Sequence, residues 1–525
     1  MIYLKPSLRR MLLLALICFS IYFMTNYGGI RSPDNELVFT SAEHLLHQGT
    51  FAVDGGLDAW PGFGIAYAAN GHSYPIFGPV QSVVLVPFVA FGEVLASTGW
   101  YQTMGEKQPR SHLIENGLLE GLYRLEASKP LPHAVRTGAS LYNLIVTVLL
   151  VLVFYLIVLR FTLSEPASFF GSLVLGLGTL YWNYALTFFS EPLASLFMLL
   201  SFLALVCDIQ QASDDYTPKR FFLSGLFAGL AGATHITGVL FIPFFFLIAA
   251  VRGKKQKSGF LLRYGNAIFF IAGTFLILFA IGLWNYLRFH SFFETGRGMS
   301  NFAPSILGYG VFTSPLPALS QLLIGPGKGL FLYSPAIILG VFGWVYFHPK
   351  HRQLSWLLLA MMGVRWMFIA SRSDWHGGFC VGPRFLLMVI PFFILVFASW
   401  YAAMLQQKQT TLIAGVFIIL ILATTQQWIF AVGDVFKYLY MIEWFYSGQG
   451  TNLFNHDQLY TDWSFTPLWF GGEVPRGAFL LRWIPFSNST VRMLGFVSIT
   501  CCFTAYYLII HTRLTKRSSD LSASR

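Results

Sequence analysis

Charge is scarce in this chain. Of its 525 residues only 11% are Asp, Glu, Lys or Arg, too few to solvate a soluble protein of this length. Cysteine is sparse as well. Cys18, Cys207, Cys380, Cys501 and Cys502 show no metal-ligand spacing and no disulfide framework, and four of them lie in or at the end of apolar runs. No glycine-rich segment has the spacing of a nucleotide P-loop, and no strand–helix alternation supplies the context for one. No internal repeat is visible, unlike the repeated halves of many transporters. No composition shift marks a separate soluble domain.

What remains is apolar. Hydrophobic residues make up 55% and aromatic residues 17%, with 53 Phe, and mean hydropathy is +0.60. Thirteen apolar runs fall near 11–27, 78–98, 138–160, 166–183, 188–207, 221–234, 236–251, 264–284, 330–347, 354–371, 383–401, 411–432 and 492–511. Several approach or exceed the roughly 20 residues that cross a bilayer core. Both ends are basic (Lys5, Arg9, Arg10; Arg513, Lys516, Arg517), which assigns both to the cytoplasm and demands an even number of crossings.

The run 78–98, carrying Pro79, Pro87 and Glu93, is therefore expected to be re-entrant or juxtamembrane. The alternative is that 221–251, broken at Gly232–His235, crosses once. The expected fold is an all-α polytopic membrane protein, a bundle of about twelve (eleven to thirteen) transmembrane helices with amphipathic juxtamembrane helices in the first external loop. The N-terminal run reads as an uncleaved signal-anchor. The net charge of +11 gathers in short basic loops, densest between Arg252 and Arg263, so the positive-inside bias accounts for it without nucleic acid. The Ser-rich tail after Lys516 reads as disordered.

This topology puts the longer polar loops outside: 28–137, 286–329, 372–382 and 433–490. In the first, Ser32-Pro33-Asp34-Asn35-Glu36 reads as a helix start, with Pro33 at the first position and acids in the first turn. Leu37, Val38, Ala42, Leu45 and Leu46 follow at helical spacing, and Gly49 ends the helix. A first-turn carboxylate is ordinary helix-start chemistry. At a membrane–water boundary it is also placed to serve as a general base.

A second cluster is Arg372, Ser373, Asp374, Trp375, His376, Gly377, Gly378 and then Gly382-Pro383-Arg384. It crowds two guanidiniums, an imidazole and glycines into one outward turn, a plausible phosphate or pyrophosphate cradle. The competing account is that the arginines snorkel and Trp375 belongs to the aromatic belt. Lys328, set among glycines before Leu330, is equally an anion ligand or an interfacial anchor. Arg297 lies in the same external loop. Glu191 opens an apolar run at its outer edge, where it could line the same cavity as Asp34. His235, in an apolar break, reads first as a packing histidine. His72, Tyr74 and Pro75–Pro79 read as a surface loop, with Tyr74 as a candidate lining residue. Arg365, deep in an apolar run, requires partners that sequence does not name.

Taken in order, several stretches resemble the GT-C glycosyltransferases, polyprenyl-phosphate-dependent membrane enzymes that include protein O-mannosyltransferases and lipid A aminoarabinose transferases. They are Pro33-Asp34-Asn35-Glu36, Gly178-Thr179-Leu180-Tyr181-Trp182 with Glu191-Pro192, Lys328-Gly329-Leu330-Phe331-Leu332-Tyr333-Ser334-Pro335, and Trp375-His376-Gly377-Gly378 with Gly382-Pro383-Arg384. The resemblance runs from about 12 to 400. It implies a glycosyl transfer from a polyprenyl-phosphate sugar at the outer face of a bacterial inner membrane, to a lipid, glycan or protein acceptor. Asp34 would be the catalytic base and Glu36 its assistant. Arg372, His376, Arg384, Lys328 and Arg297 would hold the donor phosphate, and Glu191, Asp374 and Tyr74 would line the cavity. Where the family often has a second acid directly after the first, this chain has Asn35, with Glu36 one place on.

Expected partners are the lipid-linked donor and membrane lipids. No cofactor is called for, and a divalent metal is allowed but not demanded. The expected division is a catalytic module over 1–432, an acceptor-recognising external loop over 433–490, and a last span with its tail over 491–525. The rival from another class is a transporter or flippase for a lipid-linked saccharide, which would use the same arginines and no base.

Overall fold

The structure is a computed structural model. It describes residues 7–26, 28–30, 32–56, 62–98, 132–207, 218–253, 260–298, 312–433, 435, 436, 438, 439, 442, 458–470 and 488–523. The chain is an all-α polytopic membrane protein. Much of the segments 28–137 and 433–490, expected to be external, and the lysines at 254, 255 and 257, lie outside the described residues.

Among the described residues eight helices are long and apolar enough to cross a membrane: Leu8–Thr25, Pro79–Ser97, Val135–Thr162, Tyr264–Phe289, Arg352–Ala370, Arg384–Gln406, Thr410–Val432 and Met493–Ile510. Glu191–Val206 and Ile236–Val251 are shorter apolar helices. The expected span 221–234 is the continuous 17-residue helix Pro218–Thr234, and two others are interrupted. The run 166–183 is helix Glu165–Leu177 and then the start of a separate short helix, Tyr181–Ala185, and 330–347 is a short helical turn, Leu330–Tyr333, followed by a 3-10 turn and then helix Ile338–Lys350. Glycine and proline at these joints break the backbone ladder without breaking the apolar run, so hydropathy alone overcounts long helices.

Two sequence expectations need correction. Of the two forms expected for 78–98, re-entrant and juxtamembrane, the re-entrant one is corrected: the segment is one continuous 19-residue helix, Pro79–Ser97, with Pro87 inside it. It packs against helices Pro33–Gln48 and Pro132–Ala139. The tail after Lys516 is helical rather than disordered, because helix Asn488–Ala523 runs through it. No Gly or Pro follows Gly495, so nothing in the backbone stops that helix.

The helix that follows the first apolar run spans Pro33–Gln48 and ends on Gly49 in the left-handed conformation, φ 68°. Leu37, Val38, Phe39 and Ala42 face inward, and Gln48 and the capping Gly49 are exposed. Beyond it, strands Ile65–Tyr67 and Ser73–Pro75 form an antiparallel hairpin in the register Ile65 to Pro75. Polar Asn70 and His72 at the turn had masked this short pairing in the sequence.

Arg365 shows how the bundle positions the site. It is fully buried in helix Arg352–Ala370, and its Nε donates to Phe385 O at 2.8 Å while Nη1 donates to Thr237 O at 2.9 Å. Both carbonyls belong to 3-10 turns, Ile236–Phe241 and Arg384–Val389, which precede helices. Such turns leave carbonyls short of partners. The buried guanidinium supplies donors to two of them and ties together the chain entries of His235 and Arg384.

Candidate active site

Four segments distant in sequence meet beside that tie. Asp34 sits in the first turn of helix Pro33–Gln48, and Arg384 opens the 3-10 turn after Pro383. Nη1 and Nη2 of Arg384 lie 3.4 and 3.5 Å from the same oxygen, Oδ2 of Asp34. On its other edge, Arg384 Nε is 3.8 Å from Oε1 of Glu191, the first residue of helix Glu191–Val206. His235 Nε2 stands 3.7 Å from that same Oε1, while His235 Nδ1 is 2.8 Å from the Thr237 hydroxyl. The guanidinium also lies over the rings of Phe189 and Phe385. Glu191 is buried, with Oε2 lacking a hydrogen-bond partner among the described residues. One arginine thus sits between two carboxylates from different helices.

Glu36 is engaged elsewhere. Arg136 donates from Nε to Oε1 and from Nη2 to Oε2, each at 3.1 Å, with its guanidinium over Phe39. Both side chains are buried, so this fork joins helix Pro132–Ala139 to the first turn that carries Asp34.

The turn from Arg372 to Arg384 splits into two layers. Arg372 holds Asp374 in a fork, with Nε donating to Oδ1 at 2.6 Å and Nη2 to Oδ2. Burial pushes the Asp374 carboxyl up, but the hydrogen bonds and charge of Arg372, together with Arg297, outweigh it and hold the group below the usual carboxylate range. Arg297 lies near Arg372, Asp374, Asp34 and Arg384, and burial with the adjacent Arg372 lowers its pKa. Among the described residues nothing hydrogen-bonds to it.

In the inner layer Lys328 is almost fully buried and donates to Gly378 O at 2.8 Å, Cys380 O at 3.0 Å and Cys380 Sγ at 3.1 Å. Its three N–H groups are thereby occupied in shaping the turn. His376 stacks on Tyr460 at 4.1 Å, and its Nδ1 accepts from Gly378 N–H at 2.9 Å.

The stretches that carried the family resemblance interlock. Leu180 N–H donates to Ser334 Oγ at 3.1 Å, Tyr184 OH donates to Val381 O at 2.9 Å, and Tyr181 OH donates to Leu387 O at 3.2 Å. Gly382, with φ 62°, is the tight point: a Cβ there would lie 2.8 Å from Tyr333 Cβ and 3.0 Å from Leu180 Cδ1. A small apolar recess lined by Tyr184, Phe189, Phe430 and Phe436 among others shares Phe189 with the Arg384 site.

Tyr74 is placed apart. It belongs to a small core with Ala66, Ile76 and Phe289, under the guanidinium of Arg288. No group of three His, Cys, Asp or Glu among the described residues could hold a metal ion.

No protein-family model matches the chain, and no curated protein sequence does. Among solved structures it is similar to ArnT from Cupriavidus metallidurans bound to undecaprenyl phosphate, at 13% identity and a TM-score of 0.44, covering 92% of this chain and 76% of that one. It is also similar to the Archaeoglobus fulgidus oligosaccharyltransferase complexed with zinc and sulfate, at 12% identity and a TM-score of 0.45, covering 91% of this chain and 59% of that one. The Archaeoglobus fulgidus oligosaccharyltransferase AglB in complex with an inhibitory peptide and a dolichol-phosphate matches at 12% identity and a TM-score of 0.43, covering 91% of this chain and 61% of that one. The chain spans about three-fifths of the archaeal enzyme's length.

Sequence reasoning missed Arg136, Tyr460 and the place of His235 against Glu191. Arg136 was readable as a lone arginine before an apolar run, yet nothing local pairs it with Glu36 across 100 positions. Asp34, Arg297, Arg372, Asp374, Arg384 and Glu191 were singled out in sequence and are neighbours in space.

Proposed function

We propose that this protein is a membrane glycosyltransferase that moves a sugar from a polyprenyl-phosphate donor to a lipid, glycan or protein hydroxyl at the outer face of a bacterial inner membrane. The observation that carries the reading is the side-by-side placement of the Asp34 carboxylate and the Arg384 guanidinium, with Arg297 beside them. A transfer of this kind needs a base for the acceptor and a cation for the leaving phosphate, and this pair supplies both. The acceptor oxygen attacks the anomeric carbon as its proton passes to a carboxylate oxygen of Asp34. The bond from that carbon to the phosphate oxygen breaks, with inversion, and the charge gathering on the phosphate falls to Arg384 and Arg297.

The remaining residues act through these. Glu36, forked to Arg136, holds the first turn; Arg372 with Asp374, and Lys328 with His376, shape the turn that delivers Arg384. Glu191 anchors the far edge of the guanidinium. The lipid tail of the donor stays in the bilayer while its headgroup enters from the membrane edge. The segment 433–490 would receive the acceptor.

The test supplies purified protein with undecaprenyl- and dolichol-phosphate sugars and candidate acceptors. Wild type transfers sugar, and Asp34→Asn loses about 100-fold or more in kcat. Full transfer by the variant overturns the role of Asp34, and lipid flipping without transfer by wild type overturns the enzyme reading.

A further inference from the structure

Arg384 grips Asp34 loosely. Both terminal nitrogens address one carboxylate oxygen at 3.4 and 3.5 Å, beyond the roughly 2.7–2.9 Å of a good charge-assisted bond, and no parallel fork forms. Both side chains are reachable, 23% exposed for Asp34 and 15% for Arg384. Glu191 is only 2% exposed and sits on the Nε edge, so it keeps the guanidinium's charge compensated if Asp34 lets go. Arg297 interacts electrostatically with Asp34 and Arg384 and has no hydrogen-bond partner among the described residues.

An anion reaching the terminal edge of Arg384 meets its guanidinium and one competing carboxylate, Asp34, within the electrostatic reach of Arg297. The terminal edge of Arg384 cannot bond fully to both anions at once. We infer that Arg384 exchanges Asp34 for the donor phosphate, so that the phosphate must bind first and its binding frees Asp34 to take the acceptor's proton. This rests on the transferase reading above and adds an order to it. Transfer then begins only on a loaded site, which keeps Asp34 from activating water or acceptor in the empty one.

The exchange predicts an effect that a base alone does not: removing the Asp34 charge tightens phosphate binding. The experiment measures binding of undecaprenyl phosphate, carrying no sugar, to the full chain in nanodiscs for wild type, Asp34→Asn, Arg384→Gln and the double variant. Asp34→Asn is expected to gain on the order of three- to ten-fold in affinity. Arg384→Gln is expected to lose affinity, and the Asp34→Asn gain is expected to vanish in the Arg384→Gln background. Asp34→Ser, which keeps a helix-starting side chain, repeats the measurement if the asparagine variant misfolds. Unchanged or weaker binding by both Asp34 variants overturns the exchange, as does the same gain with and without Arg384. If wild type binds none of the probe, the transferase reading falls with it; if wild type binds and transfers while Asp34→Asn shows no gain, only the exchange falls.

Discussion

Arg384 reaches Asp34 across 350 positions of sequence and Glu191 on its opposite edge, so one guanidinium joins helix Pro33–Gln48 to two helices of the bundle. Its planar fork is what lets it face both. Arg384→Lys keeps the charge and loses the second edge. We expect kcat/KM for sugar transfer to fall by about 10- to 100-fold while expression and thermal unfolding stay close to wild type. Wild-type kinetics from the lysine variant would count against a role for the fork.

The Glu36–Arg136 fork is buried on both sides. Removing one partner strands the other charge, so Glu36→Gln is expected to destabilise the protein by about 3–5 kcal/mol. The joint change Glu36→Leu with Arg136→Met should recover most of that loss, because neither charge then needs solvation. Thermal unfolding in detergent distinguishes the two. A mild single variant and a severe double one would show that the pair does not act as a unit.

His376 carries a pH dependence. Burial, then the charge of Lys328, lower its pKa from the ordinary 6.5 to about 3. Between those values the unfolded chain binds a proton that the folded chain refuses, so stability falls as the pH drops below 6.5. From about pH 7 to about pH 5 the loss attributable to this group is about 2 kcal/mol. His376→Phe, which can keep the stack on Tyr460, should flatten the melting temperature over that interval. An unchanged slope in the variant assigns the dependence to other groups.

Gly382→Ala tests the tightest joint between the interlocked stretches. The backbone there has φ 62°, and the added methyl would press on Tyr333 and Leu180. The left-handed backbone and the overpacking together cost about 2–4 kcal/mol. Because Arg384 follows two residues later, transfer should fall further than stability alone explains. Activity measured well below the variant's melting temperature isolates that part.

Most of the helices could be read from the chain because apolar runs, capping residues and breakers act locally. Pro33–Gln48 is the clearest case: proline at its first position, acids in its first turn and Gly49 at its end place it within a residue. The segment 78–98 misled because Pro87 and Glu93 suggest a break, whereas the packed helix tolerates the proline inside it. The tail after Lys516 misled because serine content was weighed above the absence of any breaker.

By itself, the sequence determined an all-α membrane chain and a short set of candidate ionisable residues in and between its apolar runs. It could not decide how those charges pair. Hydropathy and capping depend on neighbours a few residues away, whereas Asp34 with Arg384, Glu36 with Arg136 and Arg365 with Thr237 and Phe385 are contacts between distant segments. Only the packing of the bundle fixes which carboxylate is enclosed and which stays open. It buries Glu36 against a dedicated arginine and leaves Asp34 at the rim, on a shared and loosely held one.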